Sequence, residues 1–380
     1  MIFSFLIVFG CSLFRRESYN VKDWRVWLFS LLGFVYSLVM FFVIVQPVRL
    51  WFLVPHADKD YSNMLGEHKG DVFVYVMDSG VDVSIDDWLS EHSVVGYDAI
   101  RDRINGTRDC IGHGTKVASV VGSNAVNNGV TVVPVKTADC SLVNDPVAIV
   151  RGLNWIVDNH PKGGPVGVIN MSFGYIDDVP FLDGIQNAVK AALDAGFIVV
   201  ASAGNNSKVD TVTGEDLVAD ACNEVPANVS GVVAVGAASL SFIEGNVQRA
   251  TFSNSGSCVS LFAQGVEVRT SMKNESGEVV TGYVDGTSFA APYVSAAVAN
   301  KLVVSPWWGR EEAVSAVKAD AVKNVIVARV SSPLEPNVDV RSGYTTPNLF
   351  LEYRYSEFEG FLSQYKSLRE PTSSILQPGG

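Results

Sequence analysis

The chain has 380 residues, of which 48% are hydrophobic and 18% charged, and a net charge of −12. So apolar a composition excludes a disordered or collagen-like chain. The acidic balance excludes nucleic-acid binders, which present basic surfaces. The length exceeds that of a typical single domain, although α/β folds reach this size around one core.

The first 54 residues carry five basic and two acidic side chains, so the acidity belongs to the remainder, which stands at −15. Residues 1–14 are apolar but short for a membrane span, and Arg15, Arg16, Lys22 and Arg25 follow them. Residues 26–46 contain no charged side chain, close to the ~20 residues a helix needs to cross a hydrocarbon core. The positive-inside rule puts the basic loop in the cytosol and the chain after residue 46 on the far side. The expected organisation is a short apolar N-terminus and basic cytosolic loop over 1–25 and a transmembrane or signal-anchor segment over 26–54. The anchored protein is then single-pass, with its body extracellular or lumenal; cleavage of the anchor gives a secreted form.

The body, residues 66–353, opens with an apolar run over 72–77 that ends in Asp78-Ser79-Gly80, a strand entering a turn. Gly112-His113-Gly114-Thr115 begins a helix-like stretch to Val121. Apolar runs recur at 130–135, 166–171, 197–201 and 232–236. Helical spacing appears between them, with Ile149, Leu153 and Ile156 in 145–159 and Ile185, Val189 and Leu193 in 182–195. Continuous apolar strands alternating with helices predict an α/β fold whose mostly parallel sheet has helices on both faces. Ligands of such sheets bind beyond the carboxyl ends of the strands. Asn205 follows the run at 197–201, and Gly286-Thr287-Ser288 opens an apolar helix over 289–302, with Pro292 expected about one turn in. Residues 354–380 are polar and aromatic without a clear period and read as a tail.

Four body cysteines, Cys110, Cys140, Cys222 and Cys258, allow three pairings, and spacing does not choose among them. Sequons at Asn105, Asn228 and Asn274 suit a secreted surface; those at Asn170 and Asn205 fall near the chemistry and are expected to stay bare.

Asp78, His113 and Ser288 carry the chemistry. Peptide hydrolysis needs a hydroxyl activated by a base, and a carboxylate that fixes the base's tautomer and stabilises its protonated form. Taken singly, Asp-Ser-Gly is a turn, Gly-Thr-Ser a helix cap, and a histidine a satisfied surface or core residue. Together, in this order and local context, they make a catalytic triad. Asn205 supplies the amide donor that a developing oxyanion requires. An esterase of the α/β-hydrolase type is disfavoured, because Ser288 lacks a Gly-x-Ser-x-Gly elbow and the triad order differs. The alternative from another class is a non-catalytic, membrane-tethered fold that binds extended peptides.

These segments resemble the subtilisin-like serine peptidases, specifically the proteinase K and aqualysin branch, over residues 70–353, with 346–351 as the closing segment. The resemblance implies a serine endopeptidase without a cofactor, acting on peptide or protein substrates bound in extended form, with bridges Cys110–Cys140 and Cys222–Cys258. It implies that Ser172, Phe173 and Gly174 and Ser202, Ala203 and Gly204 form the two walls of the pocket for the residue before the scissile bond. Leu142, Val143 and Asn144 are then the edge that pairs with substrate. Glu224 is placed near the pocket floor, which implies a taste for Lys or Arg there. Three departures stand out. Residues 47–70 leave no room for a domain-sized propeptide, and Lys116 replaces a common histidine. Ser260 stands where a calcium-ligating aspartate is usual, so no metal is expected at that position.

Overall fold

The computed structural model describes residues 72–104, 108–125, 129–141, 144–176, 181–241, 246–274, 276–323, 325–326 and 349–351. The leader with its expected membrane segment, Leu142 and Val143, the sequon at Asn105 and the tail lie outside the described residues. Among the described residues no helix is long and apolar enough to cross a membrane.

Six parallel strands form the centre: β1 (Val72–Asp78), β2 (Val130–Lys136), β3 (Val168–Met171), β4 (Ile198–Ser202), β5 (Val233–Ser241) and β6 (Val259–Gln264). Across the sheet they lie in the order β6-β5-β4-β3-β1-β2. The helices are α1 (Asp87–His92), α2 (His113–Asn124), α3 (Pro146–Asn159), α4 (Leu182–Asp194), α5 (Thr287–Val304) and α6 (Arg310–Asp320).

The apolar run of β1 has no polar alternation because both of its faces are buried. Val72, Val74 and Val76 join one core with α2, α5 and α6; Phe73, Tyr75 and Met77 join the other with α3 and α4. The helical residues read from spacing, Ile149, Leu153 and Ile156 and then Ile185, Val189 and Leu193, all face that second core. Helix α5 is buried nearly all round, as its run of alanines permits. The hairpin of β7 (Val268–Lys273) and β8 (Val279–Val284) packs beside α2, where the Ser271 N–H donates to Ser119 Oγ at 3.0 Å. The order reverses between β1 and β3: the chain leaves β1 for β2 on one side, then crosses to β3 on the other. Parallel sheets place their ligand crevice at such a point.

Candidate active site

Asp78 is the last residue of β1 and is 3% exposed. Its main-chain carbonyl accepts the N–H groups of Thr137 at 2.8 Å and Ala138 at 3.2 Å, which fixes the strand end against the segment leaving β2. The Ser79 N–H donates to Asp78 Oδ1 at 2.7 Å and holds the carboxylate in turn.

His113 is the first residue of α2, entered through Gly112 at φ +82°, a left-handed conformation that suits glycine. Asp109 clamps this entry. Its Oδ1 accepts Ser79 Oγ at 2.9 Å, the Ile111 N–H at 3.0 Å and the Gly112 N–H at 2.8 Å; its Oδ2 accepts the Thr115 N–H at 2.9 Å and Thr115 Oγ1 at 2.6 Å. Burial pushes this carboxyl up, but those donors outweigh it and hold Asp109 below the usual range. The neighbouring Cys110 is bonded to Cys140, and Cys222 to Cys258, as the resemblance implied. Gly114 lets α2 close on β1: a β-carbon there would lie 2.2 Å from the Gly80 carbonyl oxygen and 2.9 Å from Asp78 Cβ.

So placed, His113 Nδ1 donates to Asp78 Oδ1 at 2.8 Å, with Oδ2 at 3.0 Å. That bond fixes the tautomer and leaves the lone pair on Nε2. Burial alone would lower the proton affinity of the imidazole. The charge and hydrogen bond of Asp78, with help from Asp109, overcome burial and the opposing charge of Lys116, so the His113 pKa is raised.

Ser288 is the second residue of α5, after Gly286 at φ +146°. The sequence placed Pro292 about a turn into this helix; it is the sixth helical residue and withholds the N–H that the Ser288 carbonyl would accept. Ser172 Oγ takes that carbonyl at 2.7 Å, and Ser288 Oγ donates to the Ser172 carbonyl at 2.9 Å. Deeper in, Asn170 donates to Ser172 Oγ at 2.9 Å and accepts Ser295 Oγ at 2.9 Å, tying α5 to the end of β3. Phe289 lies against the His113 ring, with centroids 5.3 Å apart. The expected contact of the third group is therefore not made in this arrangement: no hydrogen bond joins Ser288 to His113. Ser288 Oγ is instead committed to the Ser172 carbonyl, and any approach to the imidazole requires that bond to break.

Asn205 Oδ1 accepts the Thr287 N–H at 2.9 Å and Thr287 Oγ1 at 2.8 Å. The carbonyl end of the amide is thereby committed, and Nδ2 lies on the side of Gly286, 3.6 Å from where a β-carbon on that glycine would stand. Asn254, which the sequence gave no reason to single out, bolts this loop: its N–H donates to the Gly204 carbonyl at 2.9 Å, and its Oδ1 accepts the Asn206 N–H at 2.8 Å.

Glu224 is 3% exposed and accepts hydrogen bonds from Asn206 Nδ2 and, at 3.3 Å, from Asn254 Nδ2. A β-carbon on Gly174 would lie 2.7 Å from Oε2, and one on Gly204 2.9 Å from Oε1. The carboxylate thus sits between the glycine ends of the two segments expected to be pocket walls. Ser172, Ser202 and Ala203 are buried at the ends of β3 and β4, and Phe173 is half-buried. Asn144 bridges Ala138, and its carbonyl accepts the Tyr175 hydroxyl.

The sequence matches the Subtilase family over residues 69–345. It is 33% identical to the extracellular serine proteinase of Thermus sp. (strain Rt41A), over 74% of this chain and 59% of that one. It is 31% identical to the alkaline serine exoprotease A of Vibrio alginolyticus, over 69% of this chain and 42% of that one. The chain thus spans about half the length of these curated relatives. The crystal structure of a cold adapted subtilisin-like serine proteinase superposes with a TM-score of 0.58 at 28% identity, covering 76% of this chain and 91% of that one. With the doubly covered parallel sheet and the residues at its reversal point, these likenesses establish that the chain belongs to the subtilase family.

Proposed function

We propose that this chain is a serine endopeptidase in which Ser288 is the nucleophile, His113 the general base, Asp78 its orienting carboxylate and Asn205 the oxyanion donor. The observation that carries the reading is the Asp78–His113 hydrogen bond at 2.8 Å, formed one ring contact from the helix start that bears Ser288. Ser288 Oγ attacks the substrate carbonyl carbon as its proton passes to His113 Nε2. Asn205 Nδ2 donates to the oxyanion. As the C–N bond breaks, His113 returns that proton to the leaving amine, leaving an acyl-Ser288. Water then attacks the acyl group, giving a proton to His113, and Ser288 recovers its proton as the acid departs. The buried Glu224 carboxylate favours a Lys or Arg side chain before the scissile bond, and Asn144 with Leu142 and Val143 forms the edge that an extended peptide joins. Residues 26–54 hold the peptidase domain, residues 66–353, at a membrane on the extracellular or lumenal side.

Labelling of the full chain with a fluorophosphonate, expressed in an oxidising compartment, tests the assignment. A single adduct on Ser288, absent from Ser288→Ala and His113→Ala, is expected. A folded chain that takes up no label refutes the enzyme and leaves a peptide-binding fold.

A further inference from the structure

Lys136 closes β2 level with Asp78 on β1, and on its other side pairs with Asp98 of the short strand Tyr97–Asp98. Its residue is 3% exposed. Lysine is seldom buried to this degree unless its ammonium is paired. Here Nζ donates to the carbonyl of Ser79. Burial lowers its proton affinity most; Asp109, Asp98 and Asp78 act the other way, and Arg101 sides with burial. The Ser79 peptide it grips is engaged at every polar atom. Its N–H donates to Asp78 Oδ1, its Oγ donates to Asp109 and accepts the Gly114 N–H at 3.0 Å, and its carbonyl accepts Lys136. Ser79 is therefore the joint between the strand that carries Asp78 and the helix that carries His113. Lys136 is the cation on that joint.

We infer that Lys136 is a positioning residue for the Asp78–His113 pair, acting through the Ser79 peptide and through its positive charge, without touching the imidazole or the substrate. The kinetic part of this inference rests on the proposed triad; the structural part does not. A lysine that merely filled space would affect stability alone. A positioning lysine has two separable effects. Its N–H donor sets the Ser79 peptide and hence the carboxylate facing His113. Its charge offsets Asp78 and Asp109, so that, with Lys116, it restrains their pull on the imidazole proton. Lys136→Gln keeps a donor and removes the charge; Lys136→Met removes both.

The His113 Nδ1 proton resonance and the titration midpoint of the ring are followed by NMR in the full-length Ser288→Ala chain, with and without each change. Both variants are expected to raise the midpoint by about half a unit or more. Lys136→Met additionally weakens or loses the Nδ1 resonance, whereas Lys136→Gln retains it. With Ser288 present, Lys136→Met lowers kcat about 10- to 100-fold with KM within about twofold, and Lys136→Gln recovers most of kcat. A folded Lys136→Met chain with the parental resonance and midpoint overturns the inference; if that variant does not fold, the Lys136→Gln midpoint decides in the same way. If the parent hydrolyses no peptide, the triad reading falls while the resonance still decides the role of the lysine.

Discussion

Asn205 has the carbonyl end of its amide committed to Thr287, so rotation of the side chain is opposed by two hydrogen bonds. Asn205→Ala is expected to lower kcat by about 10²–10³ with little change in KM, a magnitude that comes from the corresponding donor of subtilisin; steady-state kinetics on a peptide substrate check it. Glu224→Gln is expected to abolish selectivity for Lys or Arg before the cut while leaving cleavage elsewhere intact, as read from a peptide library. Equal preference in both proteins would remove the specificity role. At this scale the sequence was most legible for Asp78 and His113, which the structure brings together and whose strand- and glycine-based contexts are local; Ser288 stands in the same kind of context but bonds Ser172 instead. Asn254 and Lys136 were not legible, because their partners lie far away in the chain: Glu224 stands 30 residues from Asn254 and Ser79 57 from Lys136. Asp109 has one such distant partner, Ser79, 30 residues away, beside its local bonds to Ile111, Gly112 and Thr115. Only Asp109 left a trace, as an acceptor placed just before a glycine-rich helix entry.

Among elements, the two helix starts do most to assemble the site, and each depends on one unusual residue. At α2 it is Gly114. Alanine there drives a methyl group against the Gly80 carbonyl, a backbone atom that cannot swing aside, and against Asp78 itself. Gly114→Ala should therefore separate His113 from Asp78 and cost at least about 10² in kcat, with native-like circular dichroism and a displaced Nδ1 proton resonance; unchanged kinetics would show that the close approach is dispensable. At α5 it is Pro292, whose missing N–H frees the Ser288 carbonyl for Ser172. The apolar strands and amphipathic helices were readable because each buries a face matched to its period. The hairpin of β7 and β8 was not, since Val268 and Thr270 alternate with exposed or half-buried polar residues and no continuous apolar run marks it.

At the level of the whole molecule, the sheet's reversal between β1 and β3 brings together groups that are distant in the chain, which the strand–helix alternation foretold in kind but not in strand order. The opposite end of the sheet carries a different histidine. The Tyr75 hydroxyl lies 2.8 Å from His160 Nδ1, and His160 Nε2 lies 3.0 Å from the Pro165 carbonyl, amid Phe73 and Phe197. Burial lowers its pKa, and the Pro165 carbonyl only partly opposes this. The folded chain thus binds this proton less readily than the unfolded chain does. Its contribution to stability is complete above the unfolded value of about 6.5 and is lost as pH falls through that value toward the lower folded one. Thermal unfolding should show Tm declining on acidification across that window, with a shallower decline in His160→Gln; parallel curves would assign the acid lability elsewhere.

The central claim is that His113, held by Asp78, activates Ser288. The pH dependence of fluorophosphonate acylation tests it most directly, in the parent chain and in Lys116→Gln. With His113 as the proposed base its neutral form is the active one, and its pKa is raised, so the rate should climb with pH through a single inflection above about 6.5. Because Lys116 opposes protonation of the ring, the Lys116→Gln inflection should lie at higher pH than the parent's. A labelling rate that stays flat with pH, or that survives His113→Ala, would contradict the account.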